Sequence, residues 1–127
     1  MAHSVIFSPN APAPIGPYSQ AVQAGDTVYV SGQIPLDETG QLVGDGDVVA
    51  ETHQVMRNLQ AVLAAVDLTL ANVVKCSIFV KDLSNFVRIN DVYGSYFEAS
   101  YSPARETVEV ARLPKDVQVE ISCIAVR

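Results

Sequence analysis

The chain has 127 residues, 49% of them apolar and 17% charged, which suits one domain with a sizeable core and excludes a disordered segment. Lys and Arg number 8 against 14 Asp and Glu, so the net charge of −6 repels a phosphate backbone on average and nucleic acid is not an expected partner. No stretch is long and apolar enough to cross a membrane, and "MAHSVIFSPNAPAP" lacks a basic start before a long apolar run, so the expectation is a cytoplasmic protein with no membrane partner.

In chain order, "SVIFS" is a candidate strand, and the prolines of "PNAPAPIGP" favour an ordered, extended or turning loop. "SQAVQAGDTVYVSGQIP" reads as a hairpin around "AGD". In its second strand Val28, Val30 and Ile34 share one face, while Thr27, Tyr29, Ser31 and Gln33 share the other. From about Asp47, a plausible N-cap, to Asp67 the period becomes helical, with Val55, Leu59, Val62, Leu63 and Val66 on one stripe. "NVVKCSIFVKD" is a strand with Val74, Cys76, Ile78 and Val80 on one side. A second helix is predicted from about Ser84 to Glu98, its stripe made of Phe86, Ile89, Tyr93 and Phe97.

Asn90 falls inside that second stripe. Two readings stand: a core amide that holds a loop, or an amide presented toward a site. Cys76 and Cys123 fall on apolar strand faces without Cys or His partners at ligand spacing, and read as buried free thiols with no metal. His3 and His53 read as solvated.

"RETVEVAR" and "VQVEISCIAV" around "LPKD" read as a closing hairpin in which Val110 faces Val119 and Val108 faces Ile121. The opposite face then carries Arg105, Thr107, Glu109, Gln118, Glu120 and Ser122. Glu109 and Glu120 face each other in that register, which calls for a compensating cation, a raised carboxyl pKa or water, or else for one Glu to reach solvent or a basic partner. Arg105 and Glu120 lie roughly 13 Å apart along the sheet at ~3.3 Å per residue, so a shared ligand needs long side chains, a bulge or two subunits.

The elements add up to a single α+β domain over residues 1–127, ordered ββαβαββ, with a mixed β-sheet covered by two helices on one face. The other face mixes Tyr29, Phe79, Ile124 and Val126 with polar residues and suits a subunit interface.

"GPYSQAV", "VYVSGQIP", "NLQAVLAAV" and "PARETVEVARLPKDVQVEI" resemble the RidA/YjgF family of reactive intermediate deaminases, over a stretch from about Asn10 to Val126. The resemblance implies a chorismate-mutase-like homotrimer with sites between subunits. It also implies hydrolysis of enamine or imine acids, of the 2-aminoacrylate or 2-iminopropanoate type, to 2-oxo acids and ammonia, without a cofactor. The activity implied is that of a 2-iminobutanoate/2-iminopropanoate deaminase. The matching positions are Tyr18, Ser31, Gly32, Asn90, Arg105, Thr107 and Glu120.

In that reading Arg105 holds the substrate carboxylate with its planar fork and Glu120 positions and deprotonates a water. Tyr18, Ser31, Gly32, Asn90 and Thr107 complete the wall. Two positions depart from the family pattern. Thr107 stands where some members carry Cys, so no thiol acts there, and Glu106 stands where a small Ser or Thr is usual. If the strand alternation holds, Glu106 points away from Arg105; if it fails, Glu106 competes with the substrate. The alternative is a trimeric protein that binds 2-oxo acids, as a metabolite-binding or regulatory protein, without significant hydrolysis. The resemblance also brings ribonuclease and translation-inhibitor roles described for some relatives, which the acidic balance disfavours; a chaperone-like role for exposed apolar surface is left to a test of client binding.

Overall fold

The computed structural model describes residues 2–127. Its strands are β1 (His3–Ile6), β2 (Ala21–Ala24), β3 (Thr27–Gln33), β4 (Val73–Val80), β5 (Ala104–Glu109) and β6 (Val119–Val126); its helices are α1 (Val48–Ala64) and α2 (Phe86–Gly94). They form one six-stranded sheet in the order β1-β2-β3-β6-β4-β5. All neighbours are antiparallel except β4 and β5, which are parallel.

Local chemistry accounts for the elements. The β2–β3 hairpin closes through Gly25, whose φ of +60° favours a residue without Cβ. Asp47 caps α1 by accepting from the Val49 amide at 3.0 Å, and Val55, Leu59, Val62 and Leu63 are buried as the stripe requires. α2 is shorter than the sequence suggests: Leu83–Asn85 is a 3₁₀ turn and the helix stops at Gly94, a poor helix former. Both helices cover one face of the sheet. Met56 and Leu59 of α1 and Ile89 and Tyr93 of α2 pack on Val28, Ile78, Val119, Ile121 and Ala125. Cys76 and Cys123 are buried free thiols in this layer.

The closing hairpin does not form. β6 runs between β3 and β4, with Ile121 opposite Ile78 and Val119 opposite Val80, while β5 lies outside β4, with Val108 level with Phe79. The register pairing Val110 with Val119 and Val108 with Ile121 is therefore wrong, and Glu109 and Glu120 do not meet. The reason is which strand can tolerate burial. "VEISCIAV" carries apolar residues on both faces and takes a central slot, whereas "ARETVE" carries two Glu and an Arg and takes an edge. Glu109 is accommodated elsewhere: its Oε1 accepts from the Leu83 amide at 2.9 Å, ahead of α2.

The uncovered face carries a row that crosses the sheet from Val5 through Val22, Tyr29 and Ile124 to Lys75. Val5 and Tyr29 are exposed there, as the mixed pattern suggests. His53 departs from expectation: it is half-buried, with its Nδ1 2.8 Å from the Tyr96 hydroxyl.

The proline-rich loop is held by one buried side chain. Gln20 Oε1 accepts from the Ser8 amide at 2.6 Å, while its Nε2 donates to the carbonyls of Ser8 at 3.1 Å and Pro12 at 2.9 Å. Gln20→Leu strands these backbone groups in a site that is 2% exposed. It is expected to destabilise the protein by about 1–3 kcal/mol, measured by urea unfolding.

Candidate functional site

The first cluster is built by an irregularity in β3. Val30 pairs with Cys123 and Gln33 with Ile121, so three steps on β3 match two on β6, and the extra residue is a bulge at Ser31–Gly32. The bulge turns Gln33 to the helix side, where it is buried, which corrects its assignment to the face of Tyr29 and Ser31. The Ser31 amide donates to the Gln20 carbonyl at 2.9 Å and the Ser31 hydroxyl to the Ser19 carbonyl at 2.6 Å. These bonds bind the bulge to the loop that carries Tyr18.

Gly32 is needed for close approach. The Glu120 carboxyl lies where a Cβ would stand, with Cδ 2.8 Å and Cγ 3.1 Å from that position. A cleft of about 340 Å³ is lined by Ile15, Tyr18, Ser31, Gly32, Ile34, Pro114 and Glu120. Burial pushes the Glu120 pKa up from its ordinary value of 4.5, so its proton is held less loosely than that of a solvated carboxyl. A larger cleft, about 530 Å³, lies between the Gly44–Gly46 loop and Lys115–Gln118. Four of its polar side chains are engaged in the fold: Glu51 accepts from the Gln118 amide at 2.9 Å and from the Gln118 side chain at 3.2 Å, and Lys81 pairs with Asp116 at 3.1 Å.

The second cluster lies on β5 and α2. Arg105 stands level with Cys76 of β4 and, like Cys76, points to the helix side. Its guanidinium lies over the rings of Phe86 and Tyr93, 5.6 and 5.1 Å from their centroids. Among the described residues it takes part in no salt bridge. Thr107 Oγ1 and Tyr93 Oη are buried without a conventional hydrogen-bond partner; the Cys76 thiol, a weak one, lies near the Tyr93 hydroxyl. Asn90 is half-buried on α2, four residues after Phe86 and three before Tyr93, and so on the same side of the helix as the two rings. Glu106 points the other way, onto the open face, where it accepts from the Ser77 hydroxyl and pairs with Lys75 at 3.1 Å. It does not compete for Arg105.

The seven residues singled out in the sequence thus form two groups: Tyr18, Ser31, Gly32 and Glu120, and Asn90, Arg105 and Thr107. Arg105 and Thr107 do not share a face with Glu120, contrary to the hairpin reading. Glu120 is level with Phe79 and Arg105 with Cys76, three residues along β4 and two strand spacings apart. At ~3.3 Å and ~4.8 Å per step, that separates their backbones by about 14 Å, on opposite faces of the sheet. Phe86 and Tyr93 escaped notice as site residues because an aromatic at helical spacing reads as core. Ile15 and Pro114 carried no signal at all.

A family model described as Endoribonuclease L-PSP matches residues 8–127. The chain belongs to the RidA/YjgF (Rid) family. A RutC family protein of Pyrococcus horikoshii is 50% identical over 122 residues, 95% of each chain. The Rid family protein YyfA of Yersinia pestis, a crystal structure, superposes with a TM-score of 0.95 at 46% identity and covers 99% of this chain and 100% of its own. The structure of Escherichia coli TdcF with bound serine gives 0.90 at 40% identity, covering 98% of both chains. The single α+β domain with a mixed sheet and two helices is the fold of these Rid proteins.

The raised Glu120 pKa has a consequence for stability. Below about pH 4, folded and unfolded chains both carry the acid protonated and no penalty arises. As pH rises past 4.5 the unfolded chain ionises first, so folding loses stability through the window up to the raised native value. Glu120→Gln is expected to be more stable than the wild type at pH 7 and equal to it at pH 4, by urea unfolding at both pH values.

Proposed function

We propose that this Rid protein hydrolyses imines and enamines of small 2-amino acids, of the 2-aminoacrylate or 2-iminopropanoate type, to 2-oxo acids and ammonia. The site is completed by two copies of the chain in a homotrimer, one supplying Arg105, Thr107 and Asn90 and the next Tyr18, Ser31, Gly32 and Glu120. The observation that carries this reading is the pair of half-sites themselves. A cation without an ionic partner and a carboxyl with a raised pKa stand about 14 Å apart on opposite sheet faces. A ring of copies brings two different surfaces together at each contact.

The chemistry follows from the groups present. The Arg105 fork takes the substrate carboxylate with two parallel N–H bonds. An enamine first takes a proton from solvent at its methylene and becomes the iminium, whose carbon is already electrophilic. Glu120 accepts a proton from water as the oxygen adds to that carbon. The nitrogen of the resulting carbinolamine takes that proton back from the Glu120 acid. As the C–N bond breaks and its electron pair goes to nitrogen, the carbinolamine hydroxyl passes its proton through the Glu120 carboxylate to solvent and becomes the carbonyl, and the 2-oxo acid and ammonia leave. Burial raises the Glu120 pKa, which makes the carboxylate a stronger base than a solvated one and its acid a weaker acid. No cofactor takes part in this scheme.

The 2-oxo acid binding reading drew its support from Glu106, which Lys75 and Ser77 hold on the far face. Tight 2-oxo acid binding without turnover remains its mark. RNA cleavage, named in the family model's description, meets a net charge of −6.

Three measurements follow. Arg105→Ala and Glu120→Gln are each expected to abolish most ammonia release from enzymatically generated 2-aminoacrylate. When the two inactive variants are unfolded and reassembled together at equal amounts, about a quarter of the sites regain both intact halves and activity returns to that level. Activity that stays absent in the mixture places both residues in one chain's site and sinks the two-copy arrangement. Gly32→Ala, which pushes the Glu120 carboxyl aside, is expected to lower kcat about 100-fold with less than about 1 kcal/mol lost from stability. The acid limb of the wild-type kcat/KM profile is expected above 4.5, and an inflection at or below that value removes Glu120 as the base.

A further inference from the structure

Arg105 is the one side chain of the second half-site that carries a charge, and the structure supplies it with rings in place of an anion. Phe86 and Tyr93 are seven residues apart on α2, two helical turns along the same side, and present their rings to the guanidinium at 5.6 and 5.1 Å. An aromatic face is electron-rich and attracts a cation without accepting its N–H groups in the ring plane. A carboxylate partner would hold the guanidinium equally well, yet it would occupy the same two N–H bonds that a ligand carboxylate needs. Among the described residues no such partner pairs with Arg105. Glu106, the adjacent acid, is tied to Ser77 and Lys75 across the sheet, and Glu109, on the same side of β5 as Arg105, is bonded to the Leu83 amide.

We infer that Phe86 and Tyr93 are positioning residues that hold the Arg105 guanidinium by its π faces and keep its donors open for a small carboxylate. The inference rests on the deaminase reading for the identity of that carboxylate. The two rings contribute differently. Phe86 is 37% exposed and lies outside the buried core cluster, whereas Tyr93 is 5% exposed and part of it. Held in place beforehand, the long Arg side chain has fewer rotamers to surrender when the ligand arrives. The contribution therefore falls on ligand affinity, not on the proton transfers that Glu120 performs.

The test uses the full chain and 2-oxobutanoate as the probe, followed by calorimetry, with KM and kcat for the imine measured alongside. Phe86→Leu keeps apolar bulk and removes the ring. It is expected to weaken 2-oxobutanoate binding and raise KM about fivefold to tenfold, with kcat near the wild-type value. Phe86→Tyr, which restores a ring face, is expected to return both to the wild-type level, an outcome that a merely structural role for position 86 does not produce. An independent reading comes from the Arg105 Nε–H resonance by NMR. It is expected to be shifted upfield by the rings in the wild type and to lose that shift in Phe86→Leu. A Phe86→Leu protein that binds 2-oxobutanoate as the wild type does, or whose Arg105 resonance is unmoved, overturns the inference. If the wild type neither binds 2-oxobutanoate nor hydrolyses imines, the deaminase reading falls on its own, and the resonance alone decides whether the rings hold Arg105.

Discussion

The slot that β6 takes between β3 and β4 governs the rest of the molecule. An antiparallel strand in that position faces the β3 bulge on one side and β4 on the other, so Glu120 stands at the middle of the sheet beside Gly32. The same insertion denies β5 its sequence neighbour and leaves it as a parallel edge strand. Arg105 thereby points toward α2 and Glu120 toward the uncovered face. No rotamer change in either side chain reverses that, because side-chain direction in a strand is fixed by parity.

A bulge next to a buried acid is a small departure with a large local effect. One extra residue at Ser31–Gly32 switches the facing of everything after it, so Gln33 enters the core while Ser31 and Gly32 stay beside the cleft. Gly32 leaves room for the carboxyl, and the Ser31 hydroxyl is bound to the loop through Ser19. Gln20 fixes that loop from beneath with bonds at both ends of its amide. Tyr18, Ser31 and Glu120 are thus positioned by backbone bonding, which gives the cleft a shape that does not depend on a ligand.

Much of this was legible in the sequence and some was not, for identifiable reasons. The β2–β3 hairpin and α1 with its Asp47 cap and buried stripe follow from short-range rules of period and capping, and they hold. The strand faces hold only until a register shift, which parts Ile34 from Val28 and Val30 and exposes Val74 while Val73 is buried. The helices on one face and a mixed opposite face also follow from pattern alone. Pairing of β5 with β6 does not. Alternation fixes which residues share a face of one strand but says nothing of which strand lies beside it, and proximity in sequence favours a hairpin by default. Composition held the missing clue, since a strand with Arg, Glu and Glu in six residues suits an edge. The bulge was illegible because Gly32 breaks no pattern until its partner strand is known. Motif matching named seven candidate residues, and only three-dimensional structure divided them into two groups.

The two thiols bear on what this cleft can endure. Cys76 and Cys123 stand opposite one another on β4 and β6, inside the layer beneath the helices, and burial pushes both above the ordinary cysteine range. Position 107, the site-lining member of β5, is a threonine. In the proposed two-copy site an electrophilic carbon would meet hydroxyl, amide, guanidinium and carboxyl groups, while both thiols of each copy stay inside the core. Packed away and held as thiols, the two cysteines offer an approaching electrophile no exposed thiolate, so the sheet interior shields its own most modifiable atoms.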